Sequence, residues 1–228
     1  MKAILEQLNK EYKSLLAGMG IGPRATSFIG LDIGSKYFRA VRIKKTGSGV
    51  SSEDFITGEK EDLANLKERM NIKDEEGLCV NFKIEDMVIR RVSIPVMPHG
   101  EIEGALKWDL KEHSGLDADK ARVRFNILGE REAEDGTKKI ELIAFMYRES
   151  DVESKVKELK EAGLNVKSVM PLDFALARYV NNLKIAGEDE RIAIVDIGSV
   201  KTSISIIEKD KVYFTREIAV GGDAITEA

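Results

Sequence analysis

A short motif that occurs twice restricts the folds open to this chain more than any other stretch. Ile29–Gly30–Leu31 leads into Asp32–Ile33–Gly34–Ser35, and Ile194–Val195 leads into Asp196–Ile197–Gly198–Ser199. Each time an apolar run delivers an aspartate, then an Ile-Gly-Ser turn, then an alternating strand. Phe38, Ala40 and Arg42 interleave with Arg39, Val41 and Ile43 in the first copy; Ile204 and Ile206 alternate with Ser203 and Ser205 in the second. The unit is therefore strand, tight turn, strand. Glycine lets the backbone turn sharply and approach a ligand closely. Successive turn N–H groups and a serine hydroxyl suit phosphate oxygens. An aspartate at the strand end suits Mg²⁺, directly or through water. The same residues also suit plain hairpin turns.

Composition narrows the classes. A chain of 228 residues, 43% of them apolar and 33% charged, reads as a soluble globular protein with one large or two small domains. A net charge of −4 gives no electrostatic footprint for DNA or RNA. No apolar run approaches the ~18–20 residues that span a bilayer, and the N-terminus lacks a signal-peptide pattern. The single cysteine, Cys79, lies in the apolar run Leu78–Cys79–Val80, so no disulfide framework exists and a core thiol is expected. With one cysteine and two histidines, His99 and His113, no zinc spacing is present, and both histidines are expected at helix surfaces.

The chain in order gives the following elements. Residues 1–19 place Ile4, Leu5, Leu8, Tyr12, Leu15, Leu16 and Met19 at helical spacing, ending at the Gly18–Pro23 break. This helix could pack on its own domain, grip a partner or lie on a membrane; its mixed charge weakens the membrane option. Strands are expected at 28–33, 37–45 and 50–57 as an antiparallel meander, with Thr46–Gly47–Ser48–Gly49 as the second turn. A helix at 60–71 carries Leu63, Leu66 and Met70, and a short strand follows at 78–82.

Residues 86–170 read as a separate unit. Met87–Ile94 is a strand stopped by Pro95 and Pro98. A helix at 99–113 turns Ile102, Leu106 and Leu110 inward, with Ala105 and Trp108 as further candidates. Strands at 122–128 and 140–147 are joined by Glu134–Asp135–Gly136–Thr137. A helix at 149–162 ends at Gly163, and a strand covers 165–170. The order β-α-β-β-α-β is that of a split βαβ module, unless its last strand joins the main sheet. Pro171 opens a helix with Leu172, Phe174, Ala175, Leu176 and Tyr179 as its apolar set. The polar link Gly187–Glu190 precedes the second motif, and strand 211–219 leads to Gly221–Gly222 and a first helical turn.

Two phosphate turns, each with its aspartate, resemble the superfamily of actin, the heat-shock chaperones, FtsA and the sugar kinases. Within it the chain is similar to the PilM family of type IV pilus assembly. That likeness rests on Asp32–Ile33–Gly34–Ser35 leading to Ala40–Val41, and on Ile94–Pro95 before Glu101. It rests further on Lys160–Glu161–Ala162–Gly163–Leu164, on Asp173–Phe174–Ala175–Leu176–Ala177–Arg178, and on Thr215–Arg216–Glu217–Ile218 before Gly221–Gly222. The resemblance implies an α/β, actin-like (ribonuclease H-like) fold. Subdomain 1A would comprise 28–85 plus 166–186, an inserted FtsA/PilM-type subdomain 1C would comprise 86–165, and 190–228 would begin subdomain 2A, within which the chain ends; 1–27 would be the N-terminal helix and linker.

The resemblance also assigns roles. Asp32 and Asp196 would face Mg²⁺. Gly34, Ser35, Lys36 and Arg39, with Gly198, Ser199, Lys201 and Thr202, would hold the phosphates of ATP. Arg39 stands where the family usually has lysine, and its guanidinium can still neutralise phosphate. Asp173 lies where actins place a water-orienting residue; an N-terminal helix charge favoured by the dipole accounts for it equally. The adenosine pocket and subdomain 2B would lie beyond Ala228, so weak or absent ATP binding and at most a weak ATPase are expected of this chain. The implied function is a cytoplasmic scaffold, peripheral to the inner membrane through its partners and without membrane insertion of its own. It would dock the cytoplasmic tail of a PilN-like protein in a groove between subdomains 1A and 1C, with pilus motor ATPases as further candidate partners and no nucleic acid. Two alternatives belong to the same superfamily: an FtsA-like filament protein of cell division, and a small-molecule kinase.

Overall fold

A computed structural model of the chain describes residues 27–46, 49–112, 114–117, 119–185, 187, 190–209 and 211–227. The N-terminal helix read at 1–19, its Gly18–Pro23 break, the tip of the turn at 47–48, His113, and Glu188 and Asp189 of the polar link lie outside the described residues. In chain order the elements are β1 (Ser27–Ile33), β2 (Tyr37–Thr46), β3 (Gly49–Glu59), a 3₁₀ segment (Lys60–Asn65) running into α1 (Leu66–Arg69), and β4 (Gly77–Phe82). There follow β5 (Val88–Pro95), α2 (His99–Lys111), β6 (Ala121–Glu132), β7 (Lys138–Arg148), α3 (Glu149–Glu161) and β8 (Val166–Val169). The last are α4 (Leu172–Asn182), β9 (Arg191–Ile197), β10 (Thr202–Glu208), β11 (Lys211–Ile218) and α5 (Gly222–Thr226). Among the described residues no helix is long and apolar enough to cross a membrane.

Two compact units form. The first gathers Lys155–Pro171 with the chain up to Lys83. Its sheet has the order β3-β2-β1-β4-β8, antiparallel from β1 to β3 and parallel from β1 through β4 to β8. Alternation and register explain its core. Ile29, Leu31 and Ile33 stand beside Leu78, Val80 and Phe82 on β4, and Leu31 and Ile33 face Ala40 and Phe38 on β2; all are buried. Leu63, Leu66 and Met70 are buried as their spacing predicts. The expected helix at 60–71 is instead a 3₁₀ segment followed by four α-helical residues, and Asn71 ends it in the left-handed region at φ 49°. Gly163 closes α3 at φ 76°, the left-handed cap that glycine adopts without a Cβ penalty. The strand expected at 165–170 joins this sheet through β4 rather than the module before it.

The second unit comprises Ile84–Ser154 with the chain from Leu172. Its module is an antiparallel sheet β5-β7-β6 covered by α2. Val92, Ile94, Val123, Leu142, Ala144 and Met146 line the inner face of the strands against Ile102, Leu106 and Leu110 of α2. Trp108 is not part of that core: it is 76% exposed, because it lies opposite the buried stripe on a 3.6-residue helix. Tyr179 of α4, expected on the apolar face, is also exposed, and Ala177 and Val180 are buried with Phe174 instead. Phe174 meets Phe145 of β7 edge-on at 5.0 Å. The remaining strands form an antiparallel meander β11-β10-β9, on which α4 packs.

Candidate functional site

Both aspartate motifs fold as hairpins closed by the same hydrogen bond. In the first, Gly34 N–H donates to Tyr37 O at 2.9 Å, between β1 and β2. In the second, Gly198 N–H donates to Lys201 O at 2.9 Å, between β9 and β10. Glycine is needed at each for close approach: an added Cβ would lie 2.9 Å from Tyr37 O at Gly34, and 3.0 Å from Lys201 O at Gly198. Ser35 and Lys36 project to solvent at the first tip.

At the first hairpin, Asp32 is held on both oxygens. Asn81 Nδ2 donates to Oδ1 at 2.6 Å, and Arg39 Nη1 approaches Oδ2 at 3.3 Å. Register dictates this: Arg39 is the antiparallel partner of Asp32 on β2 and Asn81 its parallel partner on β4, so all three share one face. The Arg39 side chain is 60% exposed, and the contact is a solvent-screened pair rather than a buried lock. Five of the expected residues, Asp32, Gly34, Ser35, Lys36 and Arg39, thus meet at one end of one hairpin. Asn81 is a sixth member that motif reading missed; its signal was a polar residue within the otherwise apolar strand Leu78–Phe82.

The second hairpin is anchored from the chain's last described helix. Gly222 N–H donates to Gly198 O at 2.8 Å and Asp223 N–H to Ser199 O at 3.0 Å. Gly221 sits so close that a Cβ there would fall 2.4 Å from Ser199 O. Thr202 is buried and donates its hydroxyl to Val220 O at 2.7 Å, which ties the turn to the segment after β11. Lys201 Nζ pairs with Glu217 Oε2 at 2.6 Å. Asp196, Gly198, Ser199, Lys201 and Thr202 therefore gather at this hairpin. Asp173 is placed elsewhere in the same unit. In the first turn of α4, its Oδ1 accepts the hydroxyls of Ser205 and, at 3.2 Å, Thr215, a cross-strand pair on β10 and β11.

The donor set suits a magnesium polyphosphate. Carboxylate, serine hydroxyl, turn amides and cationic side chains recur in each hairpin. Among the described residues no three His, Cys, Asp or Glu side chains converge. A Mg²⁺ at either aspartate would therefore draw its remaining ligands from phosphate and water, as this ion usually does.

A sequence profile of the type IV pilus assembly protein PilM matches residues 30–228. The chain belongs to the PilM family. Two solved structures are similar to it. One is a chain of the PilM–PilN type IV pilus biogenesis complex, with TM-score 0.72 and 20% identity over 90% of this chain. The other is the cytoplasmic domain of EpsL, an inner-membrane component of the Vibrio cholerae type II secretion system, with TM-score 0.57 and 15% identity over 85% of this chain and 71% of that one. The present chain spans 65% of the length of the PilM–PilN complex chain. Both likenesses speak for the fold, which is the α/β actin-like architecture expected of a PilM-family chain.

Proposed function

We infer that this chain is the nucleotide-binding part of a scaffold in type IV pilus assembly, and that it docks the cytoplasmic tail of a PilN-like inner-membrane protein. The observation that carries this reading is the repeated hairpin, in which glycine N–H closes onto the carbonyl three residues on, with an aspartate at the strand end. Family membership supplies the context. In this reading Gly34, Ser35, Lys36 and Arg39 contact one part of the ATP phosphates and Gly198, Ser199 and Lys201 another, while Thr202 holds the second turn in shape. Asp32 and Asp196 face the Mg²⁺. Bound nucleotide then biases a hinge between the halves of an actin-like protein, and the bias is felt where the tail binds. A tail that orders on binding suits a recognition module with slow turnover. The protein works in the cytoplasm and reaches the inner membrane through its partners, with pilus motor ATPases as further contacts.

The test is a calorimetric titration of the chain with ATP·Mg²⁺ and, separately, with a synthetic hydrophobic-acidic tail peptide from a PilN-like protein. Saturable peptide binding with little ATP turnover is the expected result. Substrate-dependent ADP release would replace this reading with a kinase, and nucleotide-driven polymerisation would replace it with a filament protein.

A further inference from the structure

We propose that the stretch 1–19 folds back as an amphipathic helix onto the outer face of the first sheet and covers the ribbon β1-β2-β3 there. The two faces of that ribbon differ. Ile29, Leu31, Phe38 and Ala40 fill the inner face and are at most 2% exposed. On the other face the register sets Phe28 beside Ile43, Gly30 beside Val41, and Val41 in turn beside Phe55. This apolar strip opens outward: Phe28 is buried, Ile43 and Val41 are half-buried, and Phe55 is 65% exposed. Val50, paired with Lys45 on the same face, is 55% exposed. β3, which carries both exposed side chains, is an edge strand. Large apolar side chains on an exposed edge invite pairing with other chains, and natural proteins cover such edges with a helix or a loop.

Size, distance and concentration all favour the chain's own N-terminus as the occupant. The large apolar positions from Ile4 to Met19 fall within an arc of about 120° at roughly 100° per residue, a stripe that must be buried against something. A helix over that stretch is about 24 Å long and about 10 Å across. Three neighbouring strands span about 10 Å, so one helix covers the ribbon. Residues 20–26 join the stripe to Ser27, which opens β1 directly before Phe28. They reach about 25 Å at full extension, enough to turn back over a strip that begins at Phe28. A segment tethered this closely has an effective concentration of millimolar order, so a free partner at micromolar concentration needs about a thousandfold more affinity to displace it.

Hydrogen exchange of the full chain, followed by mass spectrometry, tests this. A helix of this length is marginal in water on its own, so slow exchange in residues 4–19 reports docking. That protection is expected, and it is expected to be independent of protein concentration. Phe55→Asp and Val50→Asp each speed exchange in residues 4–19 by at least about tenfold, while β1 and β4 stay protected because neither side chain belongs to the inner core. Phe55→Leu, which keeps the apolar contact, retains the protection. Rapid exchange throughout 4–19 in the parent chain overturns the proposal. So does protection that survives both aspartate variants, which would place the stretch on another surface. Protection that grows with protein concentration overturns it in favour of a second copy, and protection seen only with anionic lipid vesicles in favour of a membrane surface.

Discussion

Asn81 lies beside Asp32 on the neighbouring parallel strand and donates to its Oδ1 at 2.6 Å, while Arg39 holds Oδ2 from the other side. The carboxylate at the end of β1 is thus aimed by two residues that its own motif does not contain. Asn81→Ala removes one part-buried bond to a charged group and costs about 1 kcal/mol. Asn81→Asp puts a second carboxylate against the first and costs about 2 kcal/mol at neutral pH, part of which added Mg²⁺ recovers. Thermal unfolding with and without Mg²⁺ measures both, and an Asn81→Asp protein as stable as the parent would show that the pair does not position Asp32.

The two hairpin glycines respond alike to alanine, because the atom that an added Cβ meets is in each case a backbone carbonyl that cannot swing away. Gly34→Ala and Gly198→Ala are each expected to destabilise by about 1–3 kcal/mol, seen as a shifted urea midpoint with unchanged slope. Gly104→Ala on the exposed face of α2 meets nothing within 4 Å and stabilises by up to about 1 kcal/mol. If Gly34→Ala proved neutral, the close approach to Tyr37 O would not constrain the turn.

A buried ion pair at the other end of β1 gives the fold a pH dependence. Burial alone would raise the pKa of Glu76. Hydrogen bonds from Arg42 and from Lys73 N–H and Ser27 Oγ outweigh it and hold the carboxyl below its ordinary 4.5. Arg42 reaches Glu76 from the bulge between Val41 and Ile43 in β2, and it also bonds Met70 O at 2.7 Å. A lowered folded-state pKa contributes stability that is fully present above the unfolded value and is lost as pH falls through the folded one. Unfolding free energy should therefore drop below about pH 4.5. Glu76→Gln should cost about 3 kcal/mol at neutral pH and flatten the acid limb. An unaltered acid limb in that variant would assign the pH dependence to other carboxylates.

Much of this was legible from periodicity. The strands of the first sheet, the inserted module and both hairpins follow from alternation and Gly-Ser turns, because a half-buried strand must place its apolar residues on one face. What periodicity does not carry is which sheet a strand joins, so β8 was readable as a strand but not as a neighbour of β4. It also does not carry partners distant in sequence. Asn81 reaches Asp32 across 49 positions, and only the parallel register brings them together. Trp108 and Tyr179 were candidates for inner faces on hydrophobicity alone, whereas helical phase puts both outside.

Asp173 is tied on Oδ1 to two hydroxyls, one from Ser205, which is 1% exposed, and one from Thr215. These bonds join the start of α4 to the centre of the β9–β11 sheet, so the side chain has a structural task whether or not it also orients water. Removing it leaves the buried Ser205 hydroxyl with only the long contact to Thr215 Oγ1, at 3.4 Å. Asp173→Ala is expected to cost about 2 kcal/mol, and so is Ser205→Ala, which strips the carboxylate of a donor. The double variant removes donor and acceptor together and should cost clearly less than the sum, with a coupling of about 1 kcal/mol in a double-mutant cycle read by urea unfolding. Strict additivity would mean that the carboxylate and the hydroxyl act separately, and would return Asp173 to a purely dipolar or catalytic role.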